Sequence, residues 1–313
     1  MPRATSLDEL QLRASVLTIG SFDGVHRGHQ ALVGEMVGDA RQLGVPAVVL
    51  TFFPHPSVVL RGRRPSFYIM TPDEKAAALT ALGVDMVVTQ LFDQSLSHTS
   101  ASDFLARLRQ HLGFKGLWVG EDFSLGHRRE GNRLFLEDAG REQGFSLHVV
   151  PPFLMGGEAV SSTRVREALR SGDVARAASY LGRPFTLPGK VVRGAGRGRR
   201  LGFPTANLDF WDERAYPGVG VYACWVLAAG RRLACVTNIG LRPTFEIDAQ
   251  RPIIEAHLLD AQLDLYDQEI TLVFVERLRD ERRFDGPEAL REQIARDIGR
   301  ARALLASPEG SHA

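Results

Sequence analysis

The sequence predicts an α/β chain in two parts, a parallel-sheet domain followed by a small barrel or sandwich that ends in a helix. Three observations carry this. The chain has 313 residues, and at roughly 150 per domain that length suits two domains, each long enough to bury its own core. Up to about residue 180, short β-branched runs alternate with helical patterns, the grammar of crossover units in a parallel sheet. Past Gly182 the β-rich segments follow one another without helices between them. The boundary is therefore set near residues 182–184, with domains at 1–183 and 184–313.

Residues 16–19 read as the first strand. A Gly-containing loop follows, and then Leu32, Val33, Met36, Val37, Ala40 and Leu43 recur at helical spacing as one apolar stripe. The cycle repeats with strands at 47–52 and 84–89 and helices at 72–82 and 102–112. Residues 117–119 and 146–150 supply two more strands, and short helices at 163–170 and 173–181 close the domain. In the second part, 186–192, 219–227, 233–237, 253–259 and 269–275 read as strands. Leu290, Ile294, Ile298, Ala301 and Leu305 then mark an amphipathic helix expected to pack on that sheet.

Composition excludes several classes. Lys and Arg number 38 against 37 Asp and Glu, a formal charge of +1, so the chain as a whole has no field that would draw in nucleic acid or an anionic membrane. Any anion site has to be local. The 44% hydrophobic and 24% charged fractions are those of a folded globular chain. Cys224 and Cys235 are too few for a disulfide framework and fit no zinc spacing, which suits a reducing compartment. The first ten residues carry no apolar core of signal-peptide length, and no apolar run approaches the roughly 20 residues of a membrane helix. The expected location is the cytoplasm.

Residues 20–29 read GSFDGVHRGH and fall between the first strand and the first helix. In an open parallel sheet that is the ligand-binding side, and a helix N-terminus there offers unpaired backbone N–H groups to an anion. His26 and His29 bracket Gly28, so the backbone can come close while two imidazoles with donors suited to phosphate oxygens face one point. On the residues alone, a metal-binding or simply surface pair of histidines is the other reading. Residues 192–208 read VRGAGRGRRLGFPTANL, with glycines at 194, 196, 198 and 202 among four arginines. Taken alone this is an anion or RNA patch, although it is short, has no aromatic before Phe203 and sits in a near-neutral chain. Alternation puts Glu255 on the face of Ile253 and His257, opposite Ile254 and Ala256. On pattern alone it is either an exposed edge charge or an acid–base group.

The first motif resembles the HxGH signature of the nucleotidylyltransferase superfamily, in the version carried by prokaryotic bifunctional riboflavin kinase/FMN adenylyltransferases, also called FAD synthetases. TFFPHP at 51–56, VGEDFSLG at 119–126 and SSTRVR at 161–166 follow in that family's order. The resemblance implies that His26 and His29 hold the ATP triphosphate and stabilise charge on the α-phosphate during in-line attack by the FMN phosphate, with Gly20, Phe22, Asp23 and Gly28 of the same loop at the nucleotide. Ser162, Thr163 and Arg166 match the family's SSTxxR, whose hydroxyls and guanidinium would clamp the leaving pyrophosphate. Residues 161–163 also read as a helix cap, and Arg166 as a solvated face residue. Asp122, Phe123 and His55 are implied near the flavin or nucleotide, while Asp122 and His55 also suit structural turns.

GFPTANL at 202–208 resembles the PTAN motif of riboflavin kinases. It implies ATP-phosphate contacts by Gly202, Thr205 and Asn207, with Thr205 and Asn207 as Mg²⁺ ligands. NIGLRPTF at 238–245 and IEAHLLD at 254–260 are similar as well, and imply Glu255 as the general base for the riboflavin 5′-hydroxyl. Arg279 and Glu281 match the family's closing RxE near the flavin, with Phe284 beside them. The sequence departs from the family at Phe53, where an acid is usual, at Ala261 for an aromatic, at Asp267 for Gly and at Arg193 for His.

The resemblance spans residues 16–297 and implies a Rossmann-like nucleotidylyltransferase domain followed by a small antiparallel β-barrel kinase domain with a C-terminal helix. The implied activities are phosphorylation of riboflavin to FMN in the barrel and adenylylation of FMN to FAD, releasing pyrophosphate, in the first domain. ATP is then co-substrate for both and Mg²⁺ the cofactor. The expected partners are riboflavin, FMN and ATP, with no nucleic acid or membrane, and self-association is left open.

Overall fold

A computed structural model describes residues 3–62, 66–194, 196, 198, 201–241, 252–261 and 263–306. Arg197, Arg199 and Arg200 of the Gly/Arg stretch and residues 242–245 of NIGLRPTF lie outside the described residues. The chain divides into two units, residues 1–64 with 68–162 and residues 65–67 with 163–313.

The first unit is built on a six-stranded parallel sheet: β1 (Arg3–Ala4), β2 (Ser15–Ile19), β3 (Ala47–Phe53), β4 (Met86–Leu91), β5 (Phe114–Gly120) and β6 (Ser146–Val150), in the order β1-β4-β3-β2-β5-β6. Its central strands are apolar on both faces because helices cover both. Val16, Val49 and Val87 pack with Val33 and Met36 of α1 (Arg27–Leu43) and Leu79 of α3 (Pro72–Ala81). Alternate residues Leu17, Leu50 and Val88 pack with Leu105 and Leu108 of α5 (Ala101–Leu112) and Leu136 of α6 (Arg133–Gln143). The strand order reverses at β2, which pairs with β3 on one side and β5 on the other. Beyond the carboxyl ends of such a pair lies the crevice in which open α/β sheets bind ligands.

The sequence reading passes over α6 because few of its residues face inward, only Leu136, Ala139 and Gly140 being buried. Its ends were legible nonetheless. The Asn132 side chain accepts from the Phe135 N–H at 3.1 Å, and Gly144 adopts φ 72° after the last turn. Short elements also go unanticipated: α2 (Pro56–Arg61), α4 (Gln94–Ser97) and the hairpin of β7 (Leu154–Met155) with β8 (Glu158–Ala159).

In the second unit α7 (Ser162–Ser171, begun in the first unit) and α8 (Val174–Leu181) lead into a closed antiparallel barrel. Its strands are β9 (Phe185–Val192), β10 (Ala206–Asp209), β11 (Gly220–Ala228), β12 (Arg231–Leu241), β13 (Pro252–Leu258) and β14 (Glu269–Arg279), in the order β10-β13-β12-β11-β14-β9. The choice between barrel and sandwich is thereby decided. Closure depends on β10, a four-residue strand too short to show alternation, which pairs with β9 and β13. The terminal helix α9 (Pro287–Ala306) lays Ile298, Ala301 and Leu305 on Val221, Ala223 and Val236 of the outer face, as its apolar stripe requires. Among the described residues no helix is long and apolar enough to cross a membrane.

Candidate active sites

Gly20 follows β2 and its N–H donates to the Leu50 carbonyl at 3.0 Å, so the loop starts at the sheet's carboxyl edge. The chain then turns sharply, with Phe22 at φ 47°, Gly24 at φ 85° and Val25 at φ 42°. Two non-glycine residues in the left-handed region carry strain, which surrounding contacts have to hold. The turn ends at His26, which is 5% exposed and caps α1 by accepting the His29 N–H at Nδ1, 3.3 Å away. That bond sets the tautomer: in neutral His26 the proton sits on Nε2, making that nitrogen a donor. The His29 ring stacks on it with centroids 3.6 Å apart and planes 17° apart. Gly28 permits the stack, since a Cβ there would lie 3.3 Å from the His26 ring. Two imidazoles thus stand at the positive end of a 17-residue helix, where phosphate is favoured.

The loop is held from behind. The Asp23 carboxylate, 3% exposed, accepts from the N–H groups of Ile69 at 3.0 Å and Met70 at 3.2 Å. The Ser21 carbonyl accepts from Thr51 Oγ1 and from Lys75 Nζ, each at 3.0 Å, and Lys75 also donates to the Phe52 carbonyl at 3.2 Å. Burial pulls the Lys75 ammonium down to about 8, partly opposed by the Asp23 charge. Ser162 Oγ donates to the Asp23 carbonyl at 2.8 Å, joining the start of α7 to the loop. Phe22 is buried, its ring 3.1 Å from where Gly20 would carry a Cβ and edge-on to His29 at 5.0 Å. Phe22 and Asp23 therefore shape the loop through packing and backbone bonds.

Thr163 is exposed in the first turn of α7, and Arg166, one turn on, donates to the Phe67 carbonyl at 2.6 Å with its guanidinium over the Phe67 ring at 4.1 Å. His55 caps α2, accepting the Ser57 N–H at 3.1 Å, while its own N–H donates to Tyr68 Oη at 2.9 Å. Phe53 lies beside Tyr68 with ring centroids 5.6 Å apart. Asp122 is exposed at the end of β5, a carboxylate oxygen 3.4 Å from the position of a Gly120 Cβ, and Phe123 is half-buried against the core.

The barrel array is assembled across strands. Asn207 of β10 lies directly opposite Glu255 of β13, which lies directly opposite Asn238 of β12. Directly opposed residues of antiparallel strands point to one face, so the three polar side chains form a row. Ile254 and Ala256 on either side of Glu255 are each 1% exposed, so the row occupies the other face, as alternation required. Gly194 opens room for the first member, because a Cβ there would fall 2.2 Å from Asn207 Nδ2. Gly198 does the same for Thr205, whose Oγ1 lies 3.2 Å from that glycine's Cβ position. Glu281 reaches the far end of the row: its Oε1 is 2.7 Å, and Asn238 Nδ2 3.5 Å, from a Cβ built on Gly240. Asn238 had no role in the sequence reading, although its place in NIGLRPTF marks it. Register alone puts it beside Glu255.

Arg279 pairs with Asp297 of α9 in a two-pronged pair with Nε–Oδ2 and Nη2–Oδ2 both 2.9 Å, and it lies 5.6 Å over the Phe284 ring. With Asp297 4% exposed, the pair ties the last strand to the helix. Gly202 is exposed at φ 92°. A cavity of about 860 Å³ opens beside Thr205, bounded by His257, Asp260, Ala261 and Tyr266. The Arg193 guanidinium lies 5.0 Å over the ring of Tyr266. Asp267 sits at φ 62°, the conformation that favours glycine, with its N–H donating to the Val191 carbonyl at 2.9 Å and Lys190 3.3 Å from its carboxylate. The donors near Gly194 and Gly198, a hydroxyl and a carboxamide, are hard oxygen groups that fit Mg²⁺ carrying phosphate and water as its remaining ligands.

The fold defines a two-part class, a parallel-sheet unit followed by a closed antiparallel barrel, each with a candidate phosphate-binding array. Residues 8–164 match the FAD synthetase family and residues 181–305 the riboflavin kinase family. The bifunctional riboflavin kinase/FMN adenylyltransferases of Pseudomonas fluorescens and Escherichia coli K12 are 42% identical over 94% of both chains and 40% identical over 96% of both chains. The chain belongs to the bifunctional riboflavin kinase/FMN adenylyltransferase family, with the FAD synthetase part N-terminal and the riboflavin kinase part C-terminal. A crystal structure from Streptococcus pneumoniae, described as a macrolide-efflux protein, superposes with a TM-score of 0.87 at 28% identity, covering 96% of this chain and 98% of that one. The shared architecture therefore runs the length of the chain.

Proposed function

We propose that residues 1–183 join FMN to the adenylyl group of ATP and that residues 184–313 phosphorylate riboflavin, each with its own phosphate-handling array. The observation that carries this reading is the presence of a polar side-chain array in each of the two units, the His26/His29 stack and the Asn207–Glu255–Asn238 row.

In the first array an FMN phosphate oxygen attacks the α-phosphorus of ATP; the new P–O bond forms as the bond to the β-phosphate oxygen breaks and pyrophosphate departs. His26 donates from Nε2 to the phosphate oxygens, and His29 and the N-terminus of α1 add stabilisation where negative charge grows. Ser162, Thr163 and Arg166 hold the departing pyrophosphate. Asp122, Phe123 and His55 border the flavin. In the second array Glu255 takes the proton of the riboflavin 5′-hydroxyl as its oxygen attacks the γ-phosphorus and ADP leaves. Thr205 and Asn207 hold Mg²⁺, Gly202 keeps the backbone close to the phosphates, and Glu281 and Arg279 border the flavin side. The chemistry supplied by the bound cation is neutralisation of phosphate charge. Such an enzyme works in the cytoplasm on small molecules, and its near-zero net charge of +1 supports the absence of nucleic-acid or membrane partners.

Purified chain supplied with riboflavin, ATP and Mg²⁺ is expected to make FMN and then FAD, separated by chromatography. Glu255→Gln lowers FMN formation about 10²- to 10⁴-fold and leaves FAD formation from added FMN intact. His29→Ala does the reverse, by about 10²- to 10³-fold. Equal loss of both activities in either variant overturns the assignment of separate sites.

A further inference from the structure

Lys75 is the one charged residue among the buried side chains of α3, on the helix face that also carries Ala76 and Leu79. It is 7% exposed. A lysine buried to that degree is costly unless its ammonium is satisfied. Here Nζ donates to the Ser21 carbonyl at 3.0 Å and the Phe52 carbonyl at 3.2 Å, bridging the start of the HxGH loop and the end of β3. Thr51 Oγ1 donates to the same Ser21 carbonyl at 3.0 Å. The next residue, Phe22, is the first of the left-handed positions, and Asp23 after it is a buried carboxylate. The strained turn is thus fixed at the Ser21 carbonyl by a cation and at Asp23 by that residue's carboxylate, in front of the residue that caps α1.

We propose that Lys75 is a positioning residue for adenylyl transfer: from behind the loop its ammonium fixes the Ser21 carbonyl and balances the buried Asp23 charge, keeping the left-handed turn that presents His26 and His29. The inference rests on the reading of those histidines as the phosphate-handling pair. Lys75 touches neither substrate in this role. Displacing a catalytic group by about 1 Å can cost a hundredfold in rate, so a device that sets the turn bears directly on catalysis.

Titration gives the role a signature. Burial brings the ammonium down to about 8, and Asp23 is the charged group whose field acts on it. Above that pH Lys75 is neutral and Asp23 loses its counter-charge, so adenylyl transfer falls. Folding moves the other way. Between pH 8 and the ordinary lysine range the unfolded chain binds more protons at this site, so its contribution to stability rises with pH. An alkaline fall in activity arising from Lys75 is therefore not an unfolding curve.

The test uses the full chain, with FAD formation from supplied FMN and ATP measured from pH 6 to 10 and FMN formation from riboflavin as the control. The native kcat/KM for FAD formation is expected to fall with an inflection near pH 8. Lys75→Met lowers kcat at pH 7 at least about tenfold, leaves FMN formation unchanged and removes the inflection. Lys75→Arg, which stays charged, restores most of the pH 7 rate and carries activity past pH 9. A native profile flat to pH 9.5, a Met variant within about twofold of native, or an Arg variant with the native inflection overturns the proposal. If the Met variant fails to fold, the native and Arg profiles decide between the same outcomes. His29→Ala checks the underlying reading separately, because retained FAD formation there removes that reading whatever Lys75 does.

Discussion

The two candidate sites are built in opposite ways. In the parallel-sheet unit the proposed phosphate-handling pair comes from four consecutive residues, His26 to His29, and one helix start orients both rings. In the barrel the corresponding array takes one residue from each of three strands, Asn207, Glu255 and Asn238, separated by 48 positions from first to last and brought level by register. A site made by one turn is protected by whatever pins that turn. A site made by register is protected by whatever closes the sheet. The first should therefore be sensitive to contacts at its own loop, and the second to changes far from its chemistry.

Asp297 on α9 tests the second half of that contrast most severely. Asp297→Ala leaves Arg279 as an uncompensated charge between strand and helix, and losing one partner of a buried pair costs about 3 to 5 kcal/mol. Urea unfolding of the full chain is expected to show a weakened barrel transition, with FMN formation lost at lower urea while FAD formation from supplied FMN persists. A matched weakening of both activities would mean that the units do not fail separately. Next in size is Gly194→Ala, whose new Cβ would fall 2.2 Å from Asn207 Nδ2 and drive that side chain from the row. Riboflavin phosphorylation should drop about a hundredfold, read as kcat/KM, with FAD formation unaffected. Gly28→Ala is milder. Its Cβ would stand 3.3 Å from the His26 ring, so the stack has to yield by a few tenths of an ångström, and FAD formation should fall about tenfold. Should Gly28→Ala prove more damaging than Gly194→Ala, the loop-built site would be the less forgiving of the two.

How much of this could be read from the chain depends on how local each feature is. The strands at 16–19 and 47–52 and helix α1 declare themselves through period and position, and the HxGH turn falls where a parallel sheet binds ligands. The helix α6 stayed hidden because one narrow stripe of its surface faces inward, and β10 because four residues are too few for an alternating pattern. Lys75 left a faint trace, a lysine among alanines on the inward face of a short helix. The resemblance implies Phe22 and Asp23 at the nucleotide and His55 and Arg279 near the flavin, while the structure shows bonds to the protein's own loops, rings and helices: Asp23 to Ile69 and Met70, His55 to Ser57 and Tyr68, Arg279 to Asp297. Sequence position marks such residues without saying whether a side chain faces inward to the scaffold or outward to a ligand.

The order of the chain by itself determined the division into an alternating α/β half and an all-β half, the place of the HxGH turn, and the face of β13 on which Glu255 stands. Each is a short-range consequence of period, turn chemistry and pleat. Only the folded chain decided that the second half closes as a barrel, that Asn238 stands level with Glu255, and that a buried lysine and aspartate grip the turn ahead of His26. Those facts come from register and burial among residues far apart in the chain, and no local pattern of side chains encodes a distance between segments that meet only after folding.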